Sequence, residues 1–266
     1  MKIAVRHRLR VGLAEGAGRS ALHLLLTPQN GPTQTVQEWQ LDVEGLDGAA
    51  GFVDGYGNRA HLVTQTRAGR EIIVGASGIV ETADTAGVVG RPPGEPVPAL
   101  FKRKTGLSKS DPDLVAEYAD WSEGRIALLH ALMARATEWP EAHETFEEEG
   151  GQNQVQDQAL IAPELPSPSD MAHRFIGAAR ALGIPARYVT GYLTAAEDEP
   201  AAFHAWAEAW DDGLGWIGFD PSLQLCPTER HIRVAIGLDA VSTAPVRAVP
   251  AEGDAQSVSV MVEAAQ

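Results

Sequence analysis

The sequence predicts an α+β protein built in two parts, an all-β N-terminal module followed by a domain in which helices precede strands. Three observations carry this. Up to Ala83 the apolar residues come in short runs between turn residues, and no stretch sustains a helical period. Residues 87–98 are dense in glycine and proline. Beyond them the apolar spacing becomes that of capped helices, and strand-like runs return only after Pro185.

Ile3, Val5, His7, Leu9 and Val11 alternate along a first strand. His23 to Leu26 is apolar before Pro28, and Val36, Trp39, Leu41 and Val43 precede Gly45. In GFVDGYGNRAHLV (51–63) Gly55, Gly57 and Asn58 mark a hairpin turn, and EIIVGASGIVET (71–82) reads as further strand. Residues 1–85 are therefore assigned to a β-rich domain of six or seven strands, and 86–107 to a Gly/Pro-rich linker without regular structure. Residues 108–249 form the α+β domain, and 250–266 a tail.

Ser108 to Asp111 caps a helix that carries Leu114, Val115, Tyr118, Ala119 and Trp121. A second helix covers 123–137, with Ile126, Leu129, His130, Met133 and Ala136 on one face. The acidic cluster Glu144, Glu147, Glu148 and Glu149 and the polar run GGQNQVQDQ after it read as a solvated loop. The next helix has the best-marked start. Ser167 is an N-cap, Pro168 takes the first helical position where its missing N–H is harmless, and Asp170 completes a capping box. Ala172, Phe175, Ile176, Ala179 and Leu182 form its apolar stripe, which Gly183 and Pro185 end before the strand Arg187 to Leu193.

A hairpin follows. His204, Trp206, Glu208 and Trp210 share one face by the two-residue period, DDGLG (211–215) turns the chain, and Trp216 to Asp220 returns. Setting Trp210 opposite Trp216 puts Trp206 opposite Asp220, and His204 becomes the diagonal neighbour of Asp220, about 7–8 Å away between Cα atoms. An imidazole and a carboxylate are thereby placed for a hydrogen bond.

Composition removes several classes of function. The chain has 36 acidic and 21 basic residues, a net charge of -15, and a single basic knot at Lys102, Arg103 and Lys104, so it is not expected to bind nucleic acid. One cysteine allows no internal disulfide, thiolate zinc site or iron–sulfur cluster. No apolar run approaches the roughly 20 residues that span a bilayer, and MKIAVRHRLR lacks a signal-peptide core. A cytoplasmic protein with no membrane partner is expected.

The run DMAHRFIGAARALGIPARYVTGYL (170–193), followed by HAWAEAW (204–210), GWIGFDPS (215–222) and HIRVAIGLDAVSTAPVRAV (231–249), resembles the bacterial transglutaminase-like family. The YGN turn at Tyr56 to Asn58 and IVET at 79–82 resemble that family's N-terminal domain. The resemblance implies a papain-like fold of the cysteine-protease superfamily and a Cys–His–Asp triad. In such a triad the helix dipole and an imidazolium favour the thiolate, and the acid orients the imidazole. Carried over by motif, His204 is the base and Asp220 the orienting acid.

The nucleophile does not carry over. Asp170, Ala172 and His173 align without a gap, so Pro168 stands where the family has its cysteine, and the segment between Ala159 and Asp170 is shortened. The expected function is therefore that of a catalytically inactive relative that binds a polypeptide or an active paralogue. The alternative is a peptidase or amide hydrolase using Ser167, Ser169 or Cys226 as the nucleophile, although Ser167 is suited to capping and Cys226 follows the histidine in sequence. A metal site drawn from His173, His204 and His231 has no recognisable ligand spacing, and no cofactor is expected.

Overall fold

The computed structural model describes residues 1–16, 18–66, 69–138, 166–196 and 201–265. The acidic cluster from Glu144 to Glu149 and the polar run after it lie outside them. Among the described residues six strands precede residue 85: β1 (Lys2–Gly12), β2 (Ser20–Thr27), β3 (Gln34–Asp42), β4 (Ala50–Val53), β5 (Arg59–Gln65) and β6 (Glu71–Thr82). They build two sheets, each completed from the far end of the chain by β12 (Val246–Val249) or β13 (Gln256–Ala264). The orders are β13-β1-β6-β3 and β12-β2-β5-β4.

This corrects the expected boundaries. The β module is not confined to 1–85, and 250–266 is not a tail: β13 pairs with β1 from Ile3↔Ala264 to Arg10↔Gln256 and buries Val262. Most of β13 faces solvent, so its own pattern carries little sign of what it covers. The linker also contains structure. β7 (Val88–Gly90) joins the C-terminal sheet, whose order is β11-β8-β9-β10-β7, with β8 at Ala186–Leu193, β9 at Ala202–Asp211, β10 at Gly215–Phe219 and β11 at His231–Gly237. Pro92 and Pro93 lie just beyond this short edge strand and so cost it no ladder bond. Farther on, Phe101 is fully buried within a single turn of 3₁₀ helix.

The helices lie where the sequence places them, with altered faces. α1 (Pro112–Glu117) is capped by Asp111, whose carboxylate accepts from the N–H groups of Asp113 and Leu114. α2 (Arg125–Arg135) buries Leu128, Leu129, Leu132 and Met133, while Ile126 and His130 are exposed. Leu128 and Leu132 rotate the buried stripe away from the expected one. α3 (Pro168–Ala181) starts with both bonds of the capping box. Its stripe packs on Ala205, Ala207 and Ala209 of β9, so the small residues of that strand leave room for a helix. Gly177 lets α3 approach the backbone of Lys109, where a Cβ would meet the carbonyl oxygen at 2.6 Å.

The inward face of β1 serves two partners. Leu9 and Val11 pack with Leu22, Leu24 and Val63 inside the β sandwich, whereas Ile3 and Val5 pack with Tyr192 and Ile232 of the C-terminal domain. Asn58 adds a polar lock, its side chain donating to the carbonyl of Ile236 and accepting from the N–H of the same residue, both at 2.8 Å. His7 sits at the crossover, 1% exposed, with Nδ1 3.2 Å from the Tyr192 hydroxyl and Nε2 2.8 Å from that of Ser257.

Burial lowers the His7 pKa from 6.5 to about 4. The unfolded chain therefore binds the extra proton first, and this contribution to stability is complete above pH 6.5 and is lost as pH falls toward 4. Between pH 6.5 and 4.5, urea unfolding should show the wild type losing about 2–3 kcal/mol that His7→Gln does not lose. Parallel pH profiles for the two proteins would contradict this assignment.

Candidate active site

The hairpin of β9 and β10 has the register expected from its sequence, with Trp216↔Trp210 and Phe219↔Ala207. His204 Nε2 lies 2.6 Å from Asp220 Oδ2, and both residues are buried. A third group, used by none of the triad readings of the sequence, joins them: His231, at the start of β11, brings its Nε2 to 3.2 Å from the same oxygen. The other carboxylate oxygen accepts from the Ser222 N–H (3.1 Å), the Ser222 hydroxyl (2.7 Å) and the Leu223 N–H (3.3 Å). Five donors thus converge on one carboxylate. Burial by itself would raise the pKa of Asp220, but the hydrogen bonds from His204, His231 and Ser222, with the charge of His204, hold it well below the usual carboxylate range.

The hydrogen-bond network assigns the tautomers. The Thr228 N–H donates to Nδ1 of His231 at 3.2 Å, so the His231 proton is on Nε2 and points at Asp220. For His204 the Asp220 bond occupies Nε2, and no described residue bonds to Nδ1. Nδ1 is the atom that could take a proton from a nucleophile. Trp206 fixes both rings, stacking on His204 with ring centres 6.3 Å apart and meeting His231 edge-on at 5.4 Å. It crosses β8 at Gly191, where a Cβ would come within 2.7 Å of the indole.

His204, Asp220 and His231 offer three ligand atoms within 4.8 Å of one another. The tautomer of His231 opposes an ion there. Freeing its Nε2 lone pair would move the proton to Nδ1, against the Thr228 N–H that now donates to it. His173 is apart from this group. Its Nε2 accepts from the Ala240 N–H at 3.1 Å and its ring stacks on Tyr188 at 4.6 Å. Burial is the main cause that lowers its pKa and keeps it neutral.

The candidate nucleophiles are engaged elsewhere. Pro168 is the first residue of α3. The Ser167 hydroxyl donates to Asp170 Oδ2 at 2.6 Å and accepts from the Asp170 N–H, while Ser169 Oγ accepts from the Tyr188 hydroxyl at 2.8 Å. Cys226 packs beneath Gly87, whose absent Cβ would stand 2.6 Å from its own, and burial pushes the thiol pKa up, away from the thiolate that attack requires. No hydrogen bond among the described residues links any of the three to His204.

An imidazole–carboxylate pair on neighbouring strands and a capped helix packed on the Ala205, Ala207 and Ala209 face of the same sheet make up the C-terminal α+β domain. Two family models match in tandem, the bacterial transglutaminase-like N-terminal region over residues 3–81 and the transglutaminase-like superfamily over residues 142–221. The chain belongs to the bacterial transglutaminase-like family. An uncharacterised protein of Mycobacterium tuberculosis is 27% identical over 279 residues, covering 92% of this chain and 86% of its own. Another, from Mycobacterium leprae, is 35% identical over 100 residues, and that match spans 35% of each chain. The crystal structure of a candidate cysteine protease from Cytophaga hutchinsonii has the same fold, with a TM-score of 0.65 at 20% identity over 99% of this chain and 89% of that one.

Replacing Asp220 with Ala would strand the donors of His204, His231 and Ser222 without an acceptor. Urea unfolding at neutral pH should then show a loss of about 3–5 kcal/mol. Because the folded pKa of Asp220 is depressed, the difference from wild type should hold above its ordinary value of 3.8 and shrink as pH falls below it. A loss below about 1 kcal/mol would mean that water replaces the carboxylate at little cost.

Proposed function

We propose that this chain is a transglutaminase-like protein without a nucleophile, which binds a polypeptide or an active paralogue where α3 begins beside β8 and β9. The observation that carries the reading is the first turn of α3. Pro168 supplies neither a thiol nor an N–H at the position where the family resemblance expects the cysteine and oxyanion donors, and Ser167 is committed to the cap. The buried imidazole nevertheless keeps its carboxylate partner, and its Nδ1 has no hydrogen-bond partner among the described residues, which leaves one polar atom for a peptide amide to engage. The proposed compartment is the cytoplasm, and the proposed partner is proteinaceous. Among the described residues no helix is long and apolar enough to cross a membrane.

The test combines turnover with binding. The wild type and Cys226→Ala should neither incorporate a fluorescent amine into casein nor hydrolyse it. Denatured casein should shift the His204 imidazole resonances of the wild type while leaving those of His23 in place. Wild-type turnover that disappears in Cys226→Ala, Ser167→Ala or Ser169→Ala would establish the enzymatic alternative and its nucleophile. Turnover gained only by Pro168→Cys would show that the thiol alone is missing.

A further inference from the structure

The sandwich has an open side. β3 and β4 are the edge strands of their sheets, and between them lies a cleft of about 820 Å³, within the usual range of small-molecule sites. Its apolar wall is Val36, Trp39, Leu41 and Leu46, and its polar rim includes Thr27, Arg59 and His61. It belongs to the β module and shares no residue with the His204 site.

Three features point to a ligand with an anionic head. The chain carries a net charge of -15, yet no described residue lining the cleft is acidic, and its one formal charge is Arg59. The Arg59 guanidinium has no ion pair or hydrogen bond among the described residues. Two further polar atoms of lining residues, Thr27 Oγ1 and His61 Nδ1, have no hydrogen-bond partner; both are closed to solvent in this conformation, so a ligand would meet them only after a side-chain rotation. Burial, then the neighbouring charge of Arg59, lowers the His61 pKa and favours a neutral imidazole that can donate or accept without repelling the guanidinium.

A peptide strand is poorly served by the same edges. β3 is bulged between Val36 and Glu38, the Val36 N–H is already taken by Asn30 Oδ1 at 2.7 Å, and β4 has only four residues. We infer that the cleft between β3 and β4 binds a small amphipathic carboxylate, with its apolar part against Trp39 and Leu46 and its carboxylate at Arg59. The guanidinium gives the head group a bidentate partner, and the indole gives an aromatic or aliphatic tail a flat contact.

The experiment uses 2-naphthoate and its uncharged analogue 2-naphthamide, titrated into the full isotope-labelled chain. The Trp39 indole N–H, which donates to the Leu26 carbonyl at 2.9 Å, reports binding in the cleft. Saturable shifts of that resonance are expected, with naphthoate bound about tenfold tighter than the amide. Arg59→Gln, at an exposed position where folding is little affected, should erase that preference while amide binding persists. Ala49→Trp should fill the cleft and abolish binding of both. The inference is overturned if naphthoate leaves Trp39 unmoved, if its shifts centre on His204 instead, or if Arg59→Gln retains the preference.

Discussion

The arrangement of this molecule depends on the length of two strands. β1 has 11 residues and β6 has 12, while β2 and β5, which face them across the sandwich, have 8 and 7. At about 3.3 Å per residue the first sheet overhangs the second by roughly 10 Å or more. At that end Ile3, Val5 and Val80 pack with Leu25 of β2 and Ala60 of β5, and the C-terminal domain completes their cover with Tyr192 and Ile232. The two parts are therefore joined by a shared hydrophobic surface, and the polar contacts of Asn58 and His7 fix their registration. A second junction is electrostatic: Glu95, from the Gly/Pro-rich stretch, pairs with Arg187 at 2.6 Å and Arg233 at 2.8 Å, and Glu208 of β9 meets both arginines. Such a buried cluster contributes less through net stability than through the penalty on any arrangement that separates its members, which suits a segment with little regular structure of its own.

The same constraint bears on the His204–Asp220 pair, which is present in a chain whose α3 begins with Pro168. Asp220 ties together β9 through His204, β11 through His231, and the turn after β10 through Ser222 and Leu223. Losing the carboxylate would leave three segments with unsatisfied buried donors. A nucleophile at the first turn of α3 has no comparable hold, since Ser167 and Asp170 cap that helix whatever occupies position 168. Structure alone thus protects the acid and the base, while only chemistry would protect the thiol.

How much was legible in the sequence follows from the range of each signal. The start of α3 was readable because a capping box is complete within four residues, and the β9–β10 register because a short turn and two tryptophans set the pairing. His231 was not readable as a partner of Asp220. That inference requires knowing that β9 and β11 flank β8 and that Gly191 lets Trp206 pass between them. β12 and β13 were missed for a related reason, because pairing with strands more than two hundred residues away leaves no mark on local periodicity. β7 was hidden by its brevity among prolines. The face of α2 was misjudged because one apolar spacing fits two adjacent stripes, and only packing selects between them.

The closure of β1 by β13 also bears on how the chain is made. β1 begins at Lys2 and its neighbour at Gln256, so during translation one edge of β1 waits for its partner on the order of tens of seconds. An unpaired apolar edge in a nascent chain invites pairing with another molecule. On β1 the residues that alternate with the buried ones include Arg6, Arg8 and Arg10, all exposed. Their like charges repel the same strand of a neighbouring nascent chain, so the outer face guards on the ribosome an edge that the finished protein seals.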